Sequence, residues 1–316
     1  MPECVEVMEE VLRTLARGEA ILPLRTMLQL PEGRGIFGLM PSHLSAPPAL
    51  GLKAISVFPA NDGTAFDSHQ GLVILFSPER GNPIAIMDAS SITAIRTAAV
   101  SAVATRALAR EDAADLALVG SGVQARTHLE AMAVVRPLRR VRVWSPTRVR
   151  VEAFAKWAAE ALGITVEISS GPEEAVRGAS IVCTVTAASQ PVIRGEWLSE
   201  GAHVNAVGSS DRTARELDAA AVARCRLLVD RIESTVNESG DFLMARAEGA
   251  IADDHIRGEL GDVLLGKIPG RTSGEQITLF KSLGLAVEDL AAAHHVLRAA
   301  ERANVGLTAE LGGLRH

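Results

Sequence analysis

The 316-residue chain contains no tyrosine, and aromatic residues of every kind make up 3% of it. A core without large rings must be filled by Ala, Val, Leu and Ile, and a hydrophobic content of 47% supplies them. Small and branched apolar side chains of this kind suit a parallel sheet covered by helices. Cysteine is scarce as well. Cys4, Cys183 and Cys225 form an odd set without metal-type spacing, which argues against a disulfide scaffold and for reduced thiols. HExxH, CxxC and carboxylate clusters at metal-ligand spacing are all missing, so a metal site has no support. There is no basic block and the net charge is −6, which speaks against a nucleic-acid partner. No run approaches the ~18 apolar residues that a membrane helix requires. The acidic opening MPECVEVMEEVLRTLARG also lacks the basic region and apolar stretch of a signal peptide. A soluble, cytoplasmic protein with a small-molecule partner is expected.

What is present divides into two textures. Val5, Met8, Val11, Leu12 and Leu15 recur at helical spacing and predict an opening amphipathic helix. Extended segments follow at Ile36–Met40, Lys53–Pro59, Leu72–Phe76 and Pro83–Met87, the last two joined by the turn-rich Pro78-Glu79-Arg80-Gly81-Asn82. Ala89-Ser90-Ser91 reads as the cap of a long Ala-rich helix over 92–109. Beyond Glu111-Asp112, short strands at Leu116–Val119, Val141–Trp144, Ile164–Ile168, Ser180–Thr184, His203–Val207 and Arg226–Val229 are separated mostly by helices. Alternation of this kind predicts a parallel sheet with right-handed crossovers over about 113–283. A terminal helix, 285–303, is expected to pack back on the first domain, which makes that domain discontinuous. The tail from Gly306 reads as loosely held.

Gly120-Ser121-Gly122-Val123-Gln124-Ala125 has the GxGxxA form between a strand and a helix. The first glycine permits a tight turn, the second lets backbone N–H groups approach a pyrophosphate, and Ala125 lets the helix pack closely on its strand. The expected fold class is therefore α/β, a Rossmann doubly wound parallel sheet plus a discontinuous α+β domain. An NAD site wants an acid at the end of the second strand, yet none occurs between Glu130 and Glu152. Ser145, Thr147 and Arg148 stand there instead, able to donate to a 2′-phosphate and to supply its counter-charge. NADP(H) is the favoured cofactor, with NAD(H) the alternative. Thr184-Val185-Thr186-Ala187 and Val207-Gly208-Ser209-Ser210 fall at later strand ends, where the nicotinamide side is expected.

The chain resembles the ornithine cyclodeaminase/mu-crystallin family along nearly its whole length. The resemblance is carried by Pro23-Leu24-Arg25-Thr26, Gly38-Leu39-Met40-Pro41, Met87-Asp88, Ile92-Thr93-Ala94-Ile95-Arg96-Thr97-Ala98-Ala99 and the glycine turn. Asn205-Ala206-Val207-Gly208, Glu238-Ser239-Gly240-Asp241, Phe280-Lys281-Ser282-Leu283-Gly284 and Ala286-Val287-Glu288-Asp289 extend it. It implies a homodimer with a substrate-binding/dimerisation domain formed by 1–112 and 284–316 and an NAD(P)-binding domain formed by 113–283. It further implies that Arg25, Lys53 and Arg96 hold a substrate carboxylate. Ser68, His69, Gln70, Thr97, Ser145, Thr147, Thr186, Val207 and Ser282 would approach the cofactor beside Gly120, Gly122, Val123 and Gln124.

Two departures from the family pattern bear on the reaction. The aspartate that handles the substrate amino group in ornithine cyclodeaminases falls on Ser210 here, with Asp211 one residue on. The mu-crystallin-like pattern has Arg where this chain has Pro146, leaving Arg148 to meet the 2′-phosphate. The expected activity is reduction of a cyclic ketimine carboxylate, of the pyrroline- or piperideine-2-carboxylate type, to a cyclic imino acid. Lys53, its pKa lowered by the two arginines, would protonate the developing amine; from the residues alone it reads as an exposed strand position. His43 is a further candidate for the substrate. The alternatives are an NAD-dependent ornithine cyclodeaminase, an alanine or opine-type dehydrogenase, and a non-catalytic NADPH or small-ligand binding protein.

Overall fold

The computed structural model describes residues 1–309, and the end of the tail, 310–316, lies outside the described residues. The chain divides into two compact units, Glu6–Arg96 with Leu285–His316, and Met1–Val5 with Thr97–Gly284. The observed division falls at 96/97 rather than 112/113. Residues from Thr97 onward anchor into the parallel-sheet unit, where Ser101 Oγ bonds the ring of His128 at 2.9 Å and Thr105 Oγ1 accepts from Asn205 Nδ2 at 2.9 Å.

The first unit begins in α1 (Pro2–Ala16), whose Met8, Val11 and Leu12 are buried. β1 (Ala20–Ile21), β2 (Thr26–Gln29), β3 (Ile36–Ser45), β4 (Pro48–Val57), β5 (His69–Phe76) and β6 (Pro83–Asp88) form an antiparallel sheet in the order β1-β3-β4-β5-β6, with β2 also on β3. β3 and β4 extend well past the expected 36–40 and 53–59. Prolines 41 and 48 hide that length. Pro41 is tolerated because β2 pairs only up to Leu39 and β1 only from His43, so its missing N–H falls in a gap between two partners. Along β3, Gly38, Met40, Ser42 and Leu44 are buried while Phe37, Leu39, Pro41 and His43 face the other way. One side of the sheet is therefore a core face.

α2 (Ala89–Leu108) follows, and its first turn is held by Asp88, whose Oδ1 accepts from Ser91 N at 2.7 Å. That replaces the expected Ala89-Ser90-Ser91 cap: a carboxylate one residue earlier accepts the exposed amide better than a hydroxyl inside the turn.

The second unit contains β7 (Asp115–Val119), α3 (Val123–Val135), β8 (Arg140–Trp144), α4 (Arg148–Leu162), β9 (Glu167–Ile168), α5 (Pro172–Val176) and β10 (Ile181–Thr184). β11 (His203–Ala206), α6 (Ala219–Arg224), β12 (Arg226–Val229), α7 (Ile232–Glu238), α8 (Gly240–Ala247), β13 (Ile256–Glu259), α9 (Leu260–Leu264) and β14 (Thr278–Lys281) complete it. All eight strands are parallel, in the order β13-β12-β14-β11-β10-β7-β8-β9. The winding reverses between β7 and β10, which opens a crevice at their carboxyl ends. β13 and β14 were not expected, and β9 is shorter than 164–168. α10 (Ala286–Ala303) belongs to the first unit, packed across β3, β4 and β5.

Candidate active site

The glycine turn leaves β7 at the switch point. Gly120 has φ +120°, and a Cβ there would lie 2.6 Å from the Val185 carbonyl, so only glycine fits. Gly122 is the N-cap of α3 with no side chain capping it, and a Cβ there would meet nothing within 4 Å. Val123 is exposed above this turn. The backbone thus presents uncapped amides to open space at the positive end of a helix, the arrangement an anionic diphosphate needs. Gln124 Oε1 on α3 and Ser282 Oγ after β14 are among the buried polar atoms of this unit that have no hydrogen-bond partner.

The loops after β10 and β11 are tied down by a carboxylate that sequence reading missed. Glu216, fully buried, accepts from Thr184 Oγ1, Thr186 N, Thr186 Oγ1 and Gly208 N, each at 2.7 Å. Asp241 Oδ1 accepts from the backbone N–H of Glu216 and Leu217, while Lys281 Nζ donates to Asp241 Oδ2 at 2.8 Å and to Ser209 O. Thr186 and Val207 therefore stand on a rigid frame, with Val207 N bonded to Thr184 O. Asp241 and Lys281 lay in blocks that carried the family resemblance, but nothing in their spacing announced this pairing.

At the end of β8, Ser145 is half-buried and Thr147 exposed, and Thr147 Oγ1 makes no cap bond. Arg148 Nε donates to Glu152 Oε1 at 2.7 Å on the surface of α4. Arg142 turns inward to the carbonyls of Glu174 and Arg177 and takes no part. Asp211 is spent locally, its Oδ1 accepting from Thr213 N and Oγ1 at 2.7 and 2.5 Å, while Ser210 is exposed.

The cations cluster in the first unit. Register pairs Lys53 with Met40 and with Val73, which places it on the buried face of the sheet beneath α10. It is 3% exposed, so the expected exposed-strand position is overturned by the pairing register. Lys53 Nζ lies 3.1 and 3.2 Å from the two carboxylate oxygens of Asp289. Arg96 Nε donates to Asp289 Oδ1 and its Nη1 to Glu288 Oε2, both at 2.8 Å. Glu288 and Asp289 occupy the first turn of α10, where helix-end amides favour negative charge. Burial, which opposes ionisation, is outweighed at Asp289 by Arg96 and Lys53, and its pKa falls below the ordinary carboxylate value.

Lys53 is lowered from 10.5 to about 8, chiefly by burial, with Arg96 and Arg25 adding to the shift and Asp289 opposing it. The expected cause, two arginines, is thus secondary. Arg25 lies just ahead of β2, near enough to act on Lys53. His69 falls on the same face of the sheet, and burial followed by the Lys53 charge lowers its pKa. Ser68 O accepts from Phe58 N, and Gln70 points to the opposite face, where Nε2 donates to Asp67 O. Thr97 is buried on α2. His43 is on the outer face of the sheet, opposite to Lys53, because strand alternation sets it against Met40 and Ser42, so it does not join the cation cluster.

The model of the ornithine cyclodeaminase/mu-crystallin family matches residues 1–304. The chain belongs to that family. It is 41% identical over 276 residues to the ketimine reductase mu-crystallin of Mus musculus, covering 87% of this chain and 84% of that protein. The structure of Thermococcus litoralis Delta(1)-pyrroline-2-carboxylate reductase in complex with NADH and L-proline is similar at TM-score 0.96 and 38% identity, covering 98% of this chain and 96% of that one. An archaeal alanine dehydrogenase dimer with bound NAD is similar at TM-score 0.93 and 32% identity, over 99% of this chain and 95% of that one. Among the described residues, no helix is long and apolar enough to cross a membrane.

Proposed function

We propose that the protein is an NAD(P)H-dependent reductase of cyclic ketimine carboxylates, converting the C=N bond of a five- or six-membered ring to the cyclic imino acid. The observation that carries this reading is the buried cation cluster. Lys53 and Arg96 share the buried carboxylate of Asp289, Arg96 also donates to Glu288, and Arg25 lies near enough to act on Lys53, so an ammonium and guanidiniums are grouped where a substrate carboxylate would be held. The guanidiniums of Arg25 and Arg96 hold that carboxylate through their planar forks. Lys53, its pKa lowered by burial to about 8, gives its proton to the ring nitrogen as the C=N bond is reduced. When bound at the Gly120–Gly122 turn, the reduced nicotinamide supplies the hydride to C2. Similarity to a ketimine reductase and to a pyrroline-2-carboxylate reductase supports the same class.

Cyclodeamination of ornithine is disfavoured because Ser210 replaces the aspartate position and Asp211 is committed to Thr213. Saturable oxidation of NADH or NADPH by cyclic ketimine carboxylates tests the reading, with ornithine as the competing substrate. Ammonia release from ornithine without external reductant would replace it.

NADPH is the preferred dinucleotide in this reading, with Ser145, Thr147 and Arg148 around the 2′-phosphate. Arg148 must leave Glu152 to reach it, at little cost, since an exposed ion pair contributes at most about 1 kcal/mol. Arg148→Ala should weaken NADPH binding about tenfold or more, by the loss of one charge-assisted bond, and leave NADH unchanged in a titration of both. Equal weakening of the two would remove Arg148 from cofactor selection.

The homodimer is proposed on the outer face of the antiparallel sheet. Leu28, Phe37, Leu72, Ile84 and Ile86 are exposed there, Leu28 at 59% and Ile86 at 52%. A continuous apolar face of this kind needs a partner, and the similar archaeal alanine dehydrogenase is a dimer. Sedimentation should give twice the 33.3 kDa chain mass; a monomer at working concentrations would contradict it.

A further inference from the structure

Among the groups around Lys53, one acts against all the others. Burial favours the neutral amine, and Arg25 and Arg96 push the same way. His69 on β5 adds no negative charge, and Glu288 on α10 is bonded to Arg96. Among the described residues, only Asp289 has both carboxylate oxygens at the ammonium, and one of these oxygens also accepts from Arg96 Nε. Asp289 is held in turn by its place in the first turn of α10, in a stretch where Glu288, Asp289 and Leu290 are all buried.

We propose that Asp289 is the positioning residue of this site: its carboxylate bridges Lys53 and Arg96, fixes the spacing between proton donor and carboxylate-binding guanidinium, and keeps the ammonium charged at neutral pH. The catalytic consequence rests on the ketimine-reductase reading; the electrostatic one does not. With the bridge in place, the site offers a proton at one end and a guanidinium edge at the other without rearrangement. Without it, a large part of Lys53 turns neutral at pH 7 beside the two guanidiniums, and reduction loses that share of its acid.

The test reads Lys53 directly. The chain has four lysines, Lys53, Lys156, Lys267 and Lys281, so NMR of 13Cε-labelled lysine gives few signals, and Lys53→Met assigns the relevant one. In the wild type the Lys53 signal should titrate with a midpoint at about 8. In Asp289→Asn the midpoint should fall by about one unit or more, the usual effect of losing an opposite charge at this distance. Asp289→Glu, which keeps the charge, should hold it near the wild-type value. The high-pH limb of kcat/KM for ketimine reduction should move with the midpoint, so that lowering the pH restores part of the activity of Asp289→Asn.

An unmoved midpoint in Asp289→Asn overturns the proposal, as does a uniform loss of activity at every pH without displacement of the limb. Should that variant fail to fold, a wild-type midpoint below neutrality overturns it as well. If no ketimine is reduced by the wild type, the reductase reading fails, while a displaced Lys53 midpoint still carries the role of Asp289.

Discussion

Lys53→Met should lower turnover of cyclic ketimines by about 10²–10⁴-fold, the usual contribution of a positioned general acid, while NADH and NADPH bind as before. Methionine keeps the apolar stem in its buried place and removes only the ammonium, so the change isolates the proton donor. The dinucleotide turn is built by Gly120 and Gly122 and does not include Lys53, so dinucleotide affinity serves as the control. Steady-state kinetics at neutral pH, with dinucleotide affinity measured separately, makes the comparison. Turnover within a few-fold of wild type would show that the proton comes from elsewhere and would remove Lys53 from the chemistry.

Arg96→Met should be the more damaging change for the fold. Arg96 is buried and donates to both Asp289 and Glu288 at 2.8 Å. Its removal takes a charge-assisted donor from each of two buried carboxylates, and breaking one side of a buried ion pair typically costs about 3–5 kcal/mol. Denaturant unfolding should show a loss of that order, and the surviving folded enzyme should have a strongly raised KM because the guanidinium proposed to hold the substrate carboxylate is gone. Arg96→Lys should rescue neither quantity fully, since a single ammonium nitrogen cannot reproduce the two separated coplanar donors, Nε and Nη1, with which the guanidinium spans Asp289 and Glu288. A stability loss below about 1 kcal/mol would mean that solvent reaches the cluster and the charges are not set against one another as described.

Much of the fold is legible in the sequence. The GxGxxA turn sits where strand, glycines and helix required, because each of its residues answers a local steric demand. The βαβ alternation likewise gave a parallel sheet, since short apolar runs between helices have few other solutions. β14 escaped notice. Thr278–Lys281 is a four-residue run whose position between β11 and β12 depends on tertiary pairing alone. The full lengths of β3 and β4 were hidden by prolines whose tolerance depends on where neighbouring strands stop.

The site was half legible. Arg25, Lys53 and Arg96 came from the family resemblance, and the structure places Arg96 and Lys53 on one carboxylate. Their partners Glu288 and Asp289 were visible as residues but not as ligands, because they come from a helix about two hundred positions away in sequence. Glu216 was missed for the same reason. Four donors converge on it from two loops, and a single acid in a loop carries no local sign of that convergence. His43 misled because sequence order places it next to the Gly-Leu-Met-Pro block, whereas strand alternation turns it to the far face.

The central claim is that an NAD(P)H turn and a buried cationic cluster act together on a cyclic ketimine carboxylate. The most direct measurement is the loss of reduced-nicotinamide absorbance when purified protein meets a panel of five- and six-membered cyclic ketimines, with and without the ring carboxylate, using both NADH and NADPH. The account predicts saturable oxidation that requires the carboxylate. Firm dinucleotide binding with no oxidation by any ketimine would contradict it and leave a binding protein in its place.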